Sequence, residues 1–184
     1  MSALRFLHET KVDESSGVLF TVEIRDVFTS DFDLYKVTFN NTHSGGAATG
    51  MNLRYINSGG QVLVDSNYDY ARQGNFSNQS SGENDNENDT KHVNHGPIFY
   101  TTEAQGGGSV MYVSNPFNIA EYTFSFSENA YRDSSSHGNY QAIGCYTNPQ
   151  CITGMQFHLG NSSASFRKLN CRVYGIRSSW WQEN

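Results

Sequence analysis

Apolar residues recur at every second position along most of this chain, the spacing of strands that bury one face and wet the other. Val18, Phe20, Val22 and Ile24 alternate with Leu19, Thr21 and Glu23, and Tyr35, Val37 and Phe39 alternate with Lys36, Thr38 and Asn40. Tyr122, Phe124 and Phe126 alternate with Thr123, Ser125 and Ser127, the cleanest case, and Met155, Phe157 and Leu159 alternate with Gly154, Gln156 and His158. Each run predicts an antiparallel strand with a dry apolar face and a wet one. Further strands are expected over 4–12, 51–56, 61–64, 97–103, 110–113, 141–146 and 172–177.

Ten or eleven strands in one chain with little helix predict an all-β fold, a jelly-roll-like antiparallel sandwich. Glycine-rich stretches punctuate the strands, and Asn57-Ser58-Gly59-Gly60 is the strongest hairpin signal because glycine supplies the positive φ of tight reversals. Short helical turns are expected at 68–73 and 118–121. A polar, acidic stretch at about 75–96 breaks the alternation and is expected to be a long loop of a single 1–184 domain.

The 184 residues support one domain. Hydrophobic residues make up 36% and charged residues 16%, with 19 Asn and 22 Ser filling the difference. Twenty-five aromatic residues set the chain apart from disordered sequences of similar polarity. A net charge of −6, with 4 Lys and 8 Arg scattered singly, lacks the basic stripe that a nucleic-acid partner requires. With no long apolar run and no basic amphipathic helix, no membrane partner is expected. The N-terminus alternates like a strand and carries no export signal pattern. The expectation is synthesis in a cytoplasm.

Chemistry is sparse. Glu83, Asp85, Glu87 and Asp89 are weak candidates for Ca²⁺ ligands, because their spacing lacks the glycine and terminal Glu of a calcium loop; a solvated acidic loop is the simpler reading. His92 and His95 are read as exposed loop histidines, and His8 and His158 as lying on wet strand faces. Cys145, Cys151 and Cys171 are read as free thiols, with a Cys145–Cys151 bridge as the alternative. Asp31, Asp33, Asp65, Asp69 and Asp133 offer carboxylates that sequence alone cannot pair, and no nucleophile motif stands beside them. Neither an enzyme nor a cofactor is expected.

Aromatic residues near turns suggest binding. Tyr68 and Tyr70 flank Asp69, and Tyr131 and Tyr140 flank a Ser/His/Gly loop, so the four are glycan-contact candidates unless they pack beneath loops. Trp180 and Trp181 are candidates for docking on a partner, with capping of the chain's own core as the alternative.

Residues 2–9, Asp26-Val27-Phe28, 31–35, 53–60 and 65–71, with Ile152-Thr153-Gly154-Met155-Gln156-Phe157 and 172–177 near the end, resemble small virion-associated proteins of tailed phages that infect marine bacteria and cyanobacteria. The resemblance covers most of the chain outside 75–94, and its motifs are structural. It implies a β-sandwich on the particle exterior, as a capsid decoration or cement, a fibre or knob, or a tail appendage. Its partners would be other virion proteins and copies of itself, trimers being common. A tail-associated module recognising a host surface glycan is the alternative. The acidic stretch and 145–151 depart from the group's pattern and mark variable tips.

Overall fold

The computed structural model describes residues 4–13, 19–45, 49–78, 82–99, 107–132, 137–162 and 164–177. They form twelve strands in two antiparallel sheets, a jelly-roll-like sandwich. The broad sheet runs β1 (Leu4–Val12), β12 (Ser165–Ile176), β3 (Leu34–Gly45), β8 (Gly107–Ser114), β9 (Thr123–Arg132), β10 (His137–Tyr146), β5 (Tyr68–Phe76) and β6 (Glu83–Thr90). The narrow sheet runs β2 (Thr21–Ile24), β11 (Ile152–Leu159), β4 (Thr49–Asn57) and β7 (Val93–Phe99).

Alternation sets the core. Tyr35, Val37 and Phe39 of β3 face inward beside Met111 and Val113 of β8 and Cys171 and Val173 of β12, against Leu53, Met155 and Phe157 of the narrow sheet. Phe39 meets Phe157 edge-on at 4.9 Å. Toward β5, Tyr55, Tyr68 and Tyr146 pack together with centroids 4.6–6.0 Å apart. Their burial works because two of the hydroxyls are satisfied: Tyr68 Oη donates to the Leu63 carbonyl and accepts from Tyr55 N–H, and Tyr146 Oη donates to Asp65.

Four expectations change. The stretch 68–73 is not helical but the start of β5, whose buried Tyr68 and Tyr70 show strand periodicity, and no helix occurs among the described residues. Residues 61–64 contribute only a bridge between Val62 and Ile56, although the turn forms as expected: Asn57 Oδ1 accepts from Gly59 and Gln61 N–H, and Gly60 adopts φ 76°. The acidic stretch is no loop; it holds edge strand β6 and enters β7. Glu83, Asp85 and Glu87 share one face, where Glu83 accepts from Tyr140 Oη at 2.7 Å and Asp85 pairs with Arg72 at 3.0 Å, and a bulge takes Asp89 out of that alternation. These contacts, with backbone pairing to β5, hold a sequence of low strand propensity in a strand.

The fourth concerns β9. Its polar residues Thr123, Ser125, Ser127 and Asn129 are buried, while Phe124 and Phe126 point outward. The small hydroxyls leave space for β7 to cross closely. Gly144 of β10, paired with Ser125, lies under Val93, where even a Cβ would come within 2.4 Å of a methyl group. His95 of β7 is fully buried, not exposed, and its Nδ1 lies 2.7 Å from Ser127 Oγ. Asn129 donates to the His95 carbonyl and accepts from Ser109 Oγ. A satisfied polar seam thus replaces apolar packing here.

Candidate functional site: the outer face of the broad sheet

Turning β9 inside out puts its rings on the outside. Phe124, Phe126 and neighbouring Ile143 are 48%, 41% and 57% exposed. Register extends this into a row: Phe126 lies opposite Ile143 on one side and Tyr112 on the other, Tyr112 opposite Lys36, Lys36 opposite Tyr174, and Tyr174 opposite Phe6. Phe6 and Tyr174 meet edge-on at 5.7 Å. From β1 to β10 the row crosses six strands, about 24 Å at the usual strand spacing, with Lys36 its one charged member. Leu4, Ile176, Leu34 and Phe124 lie in the adjacent row. Large, continuous apolar exposure on a folded domain marks an interaction surface.

The other flank of the aromatic row is polar apart from Val110. Arg172, Thr38, Val110, Glu128 and Gln141 follow one another across the strands. Arg172 is fixed by Glu9, its Nε donating at 2.7 Å. A shallow depression includes Tyr174, Tyr112, Arg172, Glu128, Thr38 and Asn139 in its lining.

The sequence-predicted site residues lie elsewhere. Tyr68, Tyr70, Tyr131 and Tyr140 are all buried, so their rings present no platform to a sugar. Tyr131 and Tyr140 stack at 6.1 Å, Phe76 packs edge-on against both, and the Arg72 guanidinium covers Tyr140 at 5.4 Å. Burial pushes the Tyr70 phenol up to about 12. Glu83 and Asp85 are engaged with Tyr140, Tyr70 and Arg72, and Asp69 accepts from Asp89 N–H. Among the described residues, no three acidic, histidine or cysteine side chains converge as metal ligands. Cys145, Cys151 and Cys171 are free thiols, and burial raises Cys145 to about 11. Trp180, Trp181 and Asp133 lie outside the described residues. His158, expected on a wet face, is mostly buried, and burial lowers it to about 4.

The sequence did carry a signal for the outer row. Val110-Met111-Tyr112-Val113 is apolar at consecutive positions, so β8 is apolar on both faces, as strands covered on both sides are.

No protein-family model matches the chain, and no curated protein matches it. Solved structures similar to it include a tetrameric galectin from the ball sponge Cinachyrella, at 11% identity and TM-score 0.30, covering 85% of this chain and 99% of the galectin. Lactose-liganded congerin II is similar at 6% identity and TM-score 0.24, covering 79% and 98%. An alginate lyase from Alteromonas is similar at 12% identity and TM-score 0.22, covering 88% and 79%.

Proposed function

We propose that this protein is a structural subunit on the exterior of a tailed-phage particle and that it docks on another virion protein through the outer face of its broad sheet. The observation that carries the docking role is the aromatic row of Phe6, Tyr174, Tyr112, Phe126 and Ile143, apolar area whose removal from water drives association. The placement on a phage particle rests on the resemblance at both ends of the chain. Immunogold labelling of intact particles tests the placement, with label on the capsid or the tail expected and unlabelled particles overturning it. Incorporation of a Phe126→Glu, Ile143→Glu variant tests the surface. Folded variant protein that stays off the particle is expected, and incorporation at wild-type level would remove the face from the proposal.

A second reading, a tail-associated module for host surface glycan, is supported by the depression beside the row. The apolar face of a sugar ring would stack on Tyr112 or Tyr174, while Arg172, Glu128 and Asn139 would meet its hydroxyls. Binding on a host-polysaccharide array that is lost in Tyr112→Ala would favour it. A silent array would leave protein docking alone.

A further inference from the structure

The narrow sheet carries a cluster that neither reading uses. His158 of β11 lies opposite Asn52 of β4, and His92, in the turn between β6 and β7, closes on His158 with ring centroids 5.2 Å apart and planes at 90°. His158 Nδ1 faces the Leu159 carbonyl at 3.4 Å, a contact that places its proton on Nδ1 and leaves Nε2 a bare lone pair. His158 Nε2, His92 Nδ1 and Asn52 Oδ1 are all shielded from solvent, and none meets a hydrogen-bond partner among the described residues. Buried polar atoms in native proteins are satisfied by protein, water or an ion.

We propose that His92 Nδ1, His158 Nε2 and Asn52 Oδ1 bind one divalent transition-metal ion of the zinc class, which pins the β6–β7 turn to the narrow sheet. Two imidazoles sharing a tetrahedral ion, with metal–nitrogen bonds of about 2.0–2.1 Å, have centroids about 5 Å apart, the separation found here. Imidazole nitrogen suits zinc, nickel and copper over calcium or magnesium. A histidine that ligates through one nitrogen while its other N–H faces a backbone carbonyl has the usual outer-shell arrangement.

Two charged groups act on the site from outside it. Arg54, held to the Lys91 carbonyl by its Nε at 3.0 Å, opposes a cation, and Glu87 partly offsets it on the His92 side. The affinity is therefore moderate, and removing the Arg54 charge should strengthen it. That sign separates this site from adventitious binding elsewhere on the chain.

The test is calorimetry of the full-length protein with Zn²⁺, thiols kept reduced, together with Co²⁺ absorption. One ion per chain is expected, with affinity lowered about tenfold or more in His92→Gln and in His158→Gln and raised in Arg54→Gln. His92→Gln lies in a turn and keeps the sheet intact, so it stands if the β11 variant does not fold. Imidazole ¹⁵N resonances of both histidines should shift on adding Zn²⁺. Binding unchanged in His92→Gln, a sulfur-to-cobalt charge-transfer band placing the metal on Cys145 or Cys151, or no binding at about 0.1 mM Zn²⁺ would each overturn the proposal, the last leaving a buried water as the partner of these atoms.

Discussion

His95 is the residue where composition and position conflict most, an imidazole in the middle of a sandwich. Burial drives its pKa down from the ordinary value near 6.5 to about 3, so it is neutral in the folded protein at any ordinary pH. The unfolded chain takes up a proton below pH 6.5 and the folded one does not until about pH 3. Stability is thus full above pH 6.5 and falls through that window by about 1.4 kcal/mol per pH unit. His158, lowered to about 4, adds a loss of the same sign. Urea unfolding at pH 7 and pH 5 should show the wild type losing roughly 2 kcal/mol more than His95→Gln, with His158 common to both. Parallel profiles would mean that water reaches His95 in the folded state. A second residue-scale prediction concerns Gly144. Alanine there drives its methyl into Val93 and should lower stability by about 1–3 kcal/mol in denaturant melts, where an open position would gain from the same change.

Among the elements, β6 depends most on its partners, because backbone pairing to β5 alone holds an acidic, asparagine-rich edge weakly. Arg72 connects it to the body, meeting Asp85 at 3.0 Å, Asn94 at 3.0 Å and the Tyr140 face. Arg72→Met leaves Asp85 half-buried without its cation and should reduce stability by about 1–3 kcal/mol. Amide exchange should quicken across 83–90 while β9 stays protected, and uniform acceleration would show that Arg72 supports the whole sandwich instead. The element scale also shows what the sequence could and could not tell. β1 is found at the expected 4–12, and the alternating cores of β3 and β11 are where periodicity put them, because each has its apolar side inward. The alternation in β9 located the strand but misassigned its faces, since period two reveals that two faces differ and not which one meets the core. His95, Gly144 and Ser109 decide that question, and all three come from other strands. β6 was hidden for a related reason: its stabilising contacts, Tyr140 and Arg72, are remote in sequence, and its own residues favour turns. The candidate surface was missed with β9, and the four tyrosines chosen in its place are core residues whose neighbours in sequence happen to be polar.

At the scale of the molecule, the two faces of the broad sheet have exchanged the roles that composition would give them around β9. A seam of serine, asparagine and histidine lies within, and phenylalanine, isoleucine and tyrosine lie without. Phenylalanines at the two kinds of position should therefore respond in opposite ways to truncation. Phe157, fully buried and edge-on to Phe39, should lose about 3–5 kcal/mol as Phe157→Ala, because the cavity adds to the lost transfer energy. Phe126→Ser with Ile143→Ser should move the denaturation midpoint by no more than a surface change does, within about 0.5 kcal/mol for each residue, since neither side chain supports the core. What the serine pair should lose is association. Sedimentation velocity of the purified wild type across a concentration series, alone and with the virion protein proposed as its partner, should show complexes that the serine variant does not form. If that variant instead unfolds in milder denaturant by several kcal/mol, the aromatic row is part of the stabilising packing of the subunit itself, and the docking face must be sought at another surface.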